Sequence, residues 1–388
     1  MSNKIQLKGI TWGHSRGLLP MVATAQRFEE LHPNVEIIWK KRTLQEFADK
    51  SITQLAEEYD LLVIDHPWTG HAAALRKVIP FDSVLTKEFL QDQKENSVGQ
   101  SYSSYNFEGL QWALPIDAAT PVAASRPDLL VQLGVEVPRT FSDLLELAKQ
   151  GRVAFALIPI DVLMSFYMFC CSLGENPCLT TERIISDEVG IKALKLFKSL
   201  ADHVDERFYS KNPFMVYEDM VNNDDIAYCP FAYGYSNYSR DGYGRKVLHF
   251  HDLVALEDNG PMTSTLGGAG LAISSNSEHI EVASEYARFV ASPEIQATLY
   301  VENGGQPGHL KAWKNEEVNR RTADFFGETL PTLERAFLRP RYYGHMHFQD
   351  HAGDVVVDYL RNGGDELSVL STLNTMYKES LQLVGSNE

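Results

Sequence analysis

The chain has 388 residues, of which 44% are hydrophobic and 22% charged, a composition typical of globular proteins and unlike that of disordered chains. Its 52 acidic and 35 basic side chains give a formal net charge of −17. Such a surface repels phosphate backbones and anionic lipids, so we expect neither nucleic-acid binding nor membrane insertion. One hydrophobic core rarely grows beyond ~250–300 residues, so the length predicts two lobes.

The N-terminus lacks the pattern of a secretory signal, which needs a basic start and an apolar stretch of about 7–15 residues. If the chain is full length as written, the expected location is therefore the cytoplasm; a leader that has been removed is the alternative. The cysteines do not have the spacing of a zinc site, and we expect four reduced thiols without a disulfide. They are Cys170, Cys171, Cys178 and Cys229.

The first part of the chain alternates between strand and helix patterns. In order, a strand, a helix, a strand, a helix and a strand are predicted over residues 5–12, 18–32, 35–39, 44–58 and 60–65. Pro33 ends the first helix, and Thr43 with Glu46 forms a capping box that opens the second. The last strand is almost wholly apolar, which is typical of a strand buried on both faces. This order favours a parallel sheet covered by helices.

The rest of the chain continues the alternation and ends in helices. A hairpin near Phe107 leads into Asp117, and Gly267, Gly268 and Gly270 precede an apolar strand. Further strands are predicted near residues 153–158, 226–231, 246–256 and 271–274. Further helices are predicted over 140–150, 181–203, 213–222, 278–291, 293–302, 320–335 and 352–377. No Ser/Gly-rich linker separates two halves, so we expect the chain to cross between lobes more than once.

Seven segments, in this order, resemble the family 1 extracellular solute-binding proteins, which feed sugars to ABC importers. They are ATAQRFEELHPNVE (23–36), YDLLVIDHPW (59–68), WALPIDAAT (112–120), PRTFSDLLELAK (138–149), LGGAGLAI (266–273), ASEYARFVASPEIQ (283–296) and NGGQP (303–307). Two departures from the family pattern are the missing leader and Ala269, where the family often has an aromatic residue.

The resemblance implies an α/β, two-lobed periplasmic-binding-protein-like fold of type II. Each lobe would be a mostly parallel sheet flanked by helices, with a hinge that the chain crosses more than once. We expect residues 1–116 plus 257–312 to form lobe one, and 117–256 plus 313–388 to form lobe two and the C-terminal helices. The resemblance also implies a periplasmic or extracellular location, an ABC importer permease as partner if the chain is exported, a monomer and no cofactor.

Ligands of open α/β sheets bind beyond the carboxyl ends of the strands. Two of these ends carry candidate ligand-binding residues, Trp12, His14, Arg16, Asp65, His66 and Trp68. The tryptophans offer faces for sugar stacking and Asp65 offers acceptors for hydroxyls; core packing and a helix cap are the alternatives. His14 and Arg16 lie where a strand turns into a helix N-terminus, which suits an acidic sugar. The alternative for Arg16 is a surface salt bridge.

The opposite side of the cleft is predicted from the middle of the chain. Asp117 resembles the family's ligand aspartate at the crossing between lobes, and Thr120 follows it. Tyr233 and Tyr235 alternate with small residues, which indicates an exposed stacking loop, although core aromatics are the alternative. Gly268 allows a close approach of the backbone.

We therefore predict a protein that binds a carbohydrate or acidic sugar-like solute and passes it to an importer, without catalysis. The alternative is a cytosolic enzyme or ligand sensor on the same fold, with Asp65, Asp117, His14 and His66 available for acid–base work. The Ser-hydrolase elbow, the zinc-protease helix and the P-loop are absent from the sequence. A further group, His345, His347 and His351, alternates as on an extended, solvated segment rather than a metal site.

Overall fold

The computed structural model describes residues 4–43, 52–256 and 260–383. Its strands are Ile5–Trp12 (β1), Val35–Arg42 (β2), Leu61–Asp65 (β3), Asn106–Phe107 (β4), Leu110–Gln111 (β5), Leu114–Ala119 (β6), Pro121–Ser125 (β7), Tyr228–Tyr233 (β8), His249–His251 (β9) and Gly267–Ile273 (β10).

The helices of the described residues begin with α1 at Ser15–Leu31 and end with α17 at Glu366–Gln382. Between them lie Ile52–Glu58 (α2), Trp68–Leu75 (α3), Lys87–Glu95 (α4), Ser101–Ser104 (α5), Pro127–Leu133 (α6), Phe141–Lys149 (α7), Pro159–Ser172 (α8), Asp187–Ala201 (α9), Pro213–Asn222 (α10), Ile280–Ala291 (α11), Pro293–Ile295 (α12), Leu310–Trp313 (α13), Glu316–Arg320 (α14), Phe325–Glu334 (α15) and His345–Asn362 (α16).

A five-stranded sheet of order β2-β1-β3-β10-β6 forms the first structural unit. β1 runs parallel to β2 and β3, whereas β10 runs antiparallel to β3 and β6. On β3, Leu61 and Val63 belong to one hydrophobic core and Leu62 and Ile64 to another. The strand is thus buried on both faces, as the apolar run 60–65 predicts.

A three-stranded sheet of order β8-β7-β9 forms the second unit, and all of its pairs are antiparallel. The prediction of a mostly parallel sheet in each lobe is wrong for this sheet, and the sheet with β10 is mixed. An apolar run indicates burial on both faces but carries no information on strand direction, which depends on how the connections pack. The largest hydrophobic core of the described residues surrounds this sheet and includes most of α8.

Three segments run side by side where the two sheets meet. Thr120 lies between β6 and β7, and its hydroxyl donates a hydrogen bond to the carbonyl of Thr265, 2.9 Å away. Thr265 in turn pairs with Phe337 in a parallel bridge. The chain therefore passes this junction more than once, as expected. The exact lobe boundaries stay a prediction, and the one at residue 257 lies outside the described residues.

Several predicted elements differ from the observed ones. The capping box at Glu46 and the start of the helix over 44–58 lie outside the described residues. The predicted helix over 352–377 is two helices, because Gly363 and Gly364 adopt positive φ angles of 73° and 136° between α16 and α17. Val153 forms a single bridge to Tyr228 rather than opening a strand.

The histidine-rich segment is also corrected. Residues 345–351 form the start of α16, not an extended segment, and His345 is buried. Among the described residues, no group of three or more His, Cys, Asp or Glu side chains is arranged to hold a metal ion. The four cysteines are unpaired, and burial raises the pKa of Cys171 and Cys178 to about 12.

Candidate functional site

His14 caps α1 at the carboxyl end of β1. Its Nδ1 accepts a hydrogen bond from the backbone N–H of Arg16 at 3.0 Å, so this nitrogen carries no proton. The ring packs edge-on against Tyr235, with centroids 4.6 Å apart, and against Phe214 at 5.3 Å. Burial, followed by the charge of Arg16, lowers the pKa of His14 to about 4. His14 is therefore a neutral cap, not the cation that an acidic sugar would need.

Arg16 joins the two sheets. The guanidinium donates from Nε to Asp117 Oδ2 at 2.9 Å, and from Nη2 to Asp117 Oδ1. Its Nη1 donates to the carbonyl of Gly234, just after β8, at 2.8 Å, and the group lies 4.7 Å from the ring centroid of Tyr235. Arg16 is 4% exposed, so the surface salt bridge considered from the sequence is a buried one. Burial opposes its charge, but the adjacent Asp117 outweighs this and raises the pKa of the guanidinium.

Trp12 and Thr120 are both buried and pack against other parts of the chain. Trp12 is buried in the core of the five-stranded sheet, and a Cβ on Gly17 would lie 2.4 Å from its ring. This arrangement matches the core-packing alternative for Trp12. Thr120 is likewise buried at the junction, with its hydroxyl bonded to Thr265.

A second polar cluster lies at the carboxyl end of β3. Both carboxylate oxygens of Asp65 accept hydrogen bonds from Nη2 of Arg339, at 2.8 and 2.9 Å. Arg339 also donates from Nε to the carbonyl of Leu266 at 3.1 Å and from Nη1 to Oε1 of Gln349 at 2.9 Å. All three nitrogens of its guanidinium are therefore hydrogen-bonded, which fixes the orientation of the group. Partial burial opposes the charge of Asp65, but Arg339 outweighs it and the pKa of this carboxyl is lowered. The sequence analysis missed Arg339, because no local pattern marks it.

His66 and His345 lie beside this ion pair. Both side chains are fully buried, and none of their four ring nitrogens has a hydrogen-bond partner within the part of the chain that the structure describes. Nδ1 of His66 is 3.4 Å from Oδ1 of Asp65 without hydrogen-bond geometry. Burial, followed by the charge of Arg339, lowers the pKa of His66 to about 4 and that of His345 to about 3. Buried polar atoms without a hydrogen-bond partner are rare in folded proteins, so these four nitrogens mark the cluster as a candidate site.

These histidines predict a loss of stability in mild acid. The unfolded chain protonates His345 near pH 6.5 and the folded chain only near pH 3, so stability falls as the pH drops below 6.5. The slope is about 1.4 kcal/mol per pH unit. Between pH 7 and pH 5, the free energy of unfolding should fall by about 2 kcal/mol less in His345→Phe than in the wild type. Urea unfolding at the two pH values measures this difference. His347→Phe, exposed on the same helix, is the control and should follow the wild type; equal losses in all three proteins would contradict the prediction.

Tyr105 and Tyr233 lie near the Asp65 cluster, and Tyr235 lies near Arg16. Tyr105 donates its hydroxyl to the carbonyl of Ile64 at 3.1 Å. The hydroxyl of Tyr233 lies 3.4 Å from the Oγ1 of Thr265, and this tyrosine is half-buried rather than on an exposed loop. Tyr235, as noted, is buried against Arg16.

Trp68 and Gly268 complete the predicted set. Trp68 is half-buried at the start of α3 and meets His71 edge-on, with centroids 5.3 Å apart; His71 stacks on Tyr343 at 4.6 Å. Gly268 has a φ of +102°, and a Cβ there would lie 2.3 Å from the carbonyl oxygen of Asp117. Only glycine fits this approach of β10 to β6.

Asp161 is a second residue that the sequence analysis missed. It lies in the first turn of α8, is 8% exposed, and has no hydrogen-bond or ion-pair partner among the described residues. Burial alone raises its pKa to about 7. The sequence does mark this residue, because Asp161 is the only charged residue in the apolar run IPIDVLMSFYMF.

Comparison with known proteins places the chain in a family. The family model described as bacterial extracellular solute-binding protein matches residues 23–323. The chain belongs to this family. The recognition from seven segments is thereby confirmed, and the order of those segments was the decisive signal.

Solved structures show that this solute-binding protein has the two-lobed α/β fold predicted from the sequence. Maltose-bound MalE3 of T. maritima superposes with a TM-score of 0.82 at 18% identity, over 97% of this chain and 99% of that chain. A solute-binding protein of Agrobacterium radiobacter K84 in complex with ribitol gives 0.81 at 17%, over 97% and 99%. The GacH receptor of Streptomyces glaucescens, solved unliganded and with acarbose, gives 0.79 at 17%, over 98% and 99%. In the described part of this protein, no helix has the length and apolar character needed to cross a membrane.

Proposed function

We propose that this solute-binding protein binds a small polyhydroxylated solute between its two sheets and delivers it to the permease of an ABC importer. The observation that carries the proposal is the buried cluster of Asp65, Arg339, His66 and His345 at the carboxyl end of β3. It combines paired acceptors, an oriented guanidinium and ring nitrogens that lack partners. Neighbouring hydroxyls of a sugar present donors and acceptors that match such a set.

Two further observations support a carbohydrate. Tyr233 and Trp68 are half-buried aromatics near the same cluster and offer faces for the C–H surfaces of a sugar ring. The similar structures carry maltose, ribitol and acarbose, all of which are polyhydroxylated. The extracellular character of the family supports export of the mature protein. That it acts as a monomer is part of the proposal.

Catalysis is not part of the proposal. Asp65 and Asp117 each accept two hydrogen bonds from an arginine, so their oxygens are already engaged in ion pairs. Burial raises the pKa of Asp117 against the effect of Arg16, whereas Arg339 outweighs burial and lowers the pKa of Asp65. His14 and His66 are held neutral by burial and lack a carboxylate that orients them by a hydrogen bond among the described residues. The arrangement suits recognition better than proton transfer.

Calorimetry with maltose, ribitol and tagatose tests the proposal. We expect saturable binding of at least one of them, and weaker binding by about 1–3 kcal/mol in Trp68→Ala, because an aromatic face is lost. Trp39→Ala is the matched control, since Trp39 is also half-buried but lies on β2 against Tyr286. Equal affinities of the wild type, Trp68→Ala and Tyr233→Phe for the bound sugar would place the site elsewhere.

A further inference from the structure

Asp161 differs from Asp65 and Asp117 in its partners. Asp65 is paired with Arg339 and Asp117 with Arg16, whereas Asp161 has no cation and no hydrogen-bond donor among the described residues. It is more than nine-tenths buried. A carboxylate in this position is stabilised by the N-terminal dipole of α8, but that contribution is small compared with the cost of removing a charge from water. A buried carboxylate of this kind therefore points to a partner that the described residues do not supply.

Three tyrosines lie within electrostatic range of Asp161. Burial raises the pKa of Tyr217, Tyr233 and Tyr235, and the charge of Asp161 is a smaller contribution in the same direction. They come from α10, from β8 and from the turn after β8, and the thiol of Cys229 on β8 feels the same charge. A carboxylate and tyrosine ring faces both attract an ammonium group, so these residue types suit a cationic ligand.

The charged groups named above, two ion pairs and Asp161, sum to one negative charge when Asp161 is ionised. Each of the two ion pairs is neutral, and His14, His66 and His345 are uncharged at pH 7 because they are buried. An ionised Asp161 thus adds one negative charge without a counter-ion. The counter-ion has to come from the solute or from a proton. The net charge of −17 favours the approach of a cation to this protein.

We propose that the solute carries a basic nitrogen, as in an amino sugar or an aminated polyol, and that its ammonium group binds the buried Asp161 carboxylate. This inference rests on the proposed function and narrows its substrate class. Ser165 lies one turn further along α8, on the same helix face as Asp161, and offers a hydroxyl to the same group. It is buried, and its hydroxyl has no hydrogen-bond partner among the described residues.

The test compares matched pairs of probes that differ in the amine. Glucosamine is paired with glucose, N-methylglucamine with sorbitol, and acarbose with maltotetraose. In calorimetry at pH 7.5 and low salt, we expect the wild type to bind at least one amine ten-fold or more tightly than its neutral partner. In Asp161→Asn this ratio should fall close to one, because the carboxamide is neutral and has a similar shape.

Asp143→Asn is the control, because Asp143 occupies the same third position of a helix, α7, but is exposed and bonded to Thr140. It should keep the preference for the amine. A neutral sugar bound as tightly as its amine by the wild type, or an amine preference that survives in Asp161→Asn, would overturn this inference and leave the proposed function standing. Failure of every pair to bind would overturn the proposed function, and this inference with it.

Discussion

Replacing Arg16 by methionine is expected to lower the free energy of unfolding by about 3–5 kcal/mol, which is the usual cost of removing one partner from a buried ion pair. Asp117 is 1% exposed and would lose its counter-ion, which leaves a buried carboxyl group without a partner for its two oxygens. The carbonyl of Gly234 would lose its donor as well. Urea unfolding at pH 7, followed by circular dichroism, measures the change.

Two variants make this result specific to the pair. In Arg16→Met combined with Asp117→Asn, no charge is left buried, so the double variant should lose less than the sum of the single losses. Arg27→Met removes an exposed arginine of the same helix, which pairs with Glu30, and should cost less than about 1 kcal/mol. If Arg16→Met cost no more than Arg27→Met, the pair between the sheets would be dispensable.

Asp161→Asn is expected to stabilise the protein above neutral pH. The pKa of Asp161 is about 7 in the folded chain and near 3.8 in the unfolded chain. Between these values the folded chain binds more protons, so the stability that Asp161 contributes is present below pH 3.8 and is lost as the pH rises through 7. Asparagine does not titrate. The advantage of the variant should therefore be larger at pH 8 than at pH 4 by up to about 4 kcal/mol, since each pKa unit corresponds to about 1.4 kcal/mol.

The measurement is urea unfolding of both proteins at pH 4, 6 and 8 without added solute. Asp143→Asn provides the contrast, because hydrogen bonds from Thr140 lower the pKa of Asp143 and give the opposite sign. That variant should lose stability at pH 8 relative to pH 4. A difference between Asp161→Asn and the wild type that stays constant with pH would mean that the carboxylate finds a counter-charge within the folded chain.

Much of the architecture followed from local patterns. The apolar run over 60–65 predicted a strand buried on both faces, and β3 is one. The ordered segments from residue 23 onward predicted the family. The rule that ligands lie beyond strand ends selected Asp65 and Arg16 as candidates, and the resemblance selected Asp117; their role in binding stays a prediction. The predictions of fold and family succeeded because hydrophobic period, caps and prolines act over a few residues and are visible in a single sequence.

The partners of those residues were decided only by the tertiary structure. Asp65 meets Arg339 across 274 positions of the chain, and Arg16 meets Asp117 across 101. The direction of β10 and the antiparallel second sheet likewise depend on how connections pack. A sequence pattern states which side chains become buried, but pairing between distant charges is a property of three-dimensional packing. The same packing leaves Asp161 without a partner among the residues that the structure describes, and so makes it the residue to test.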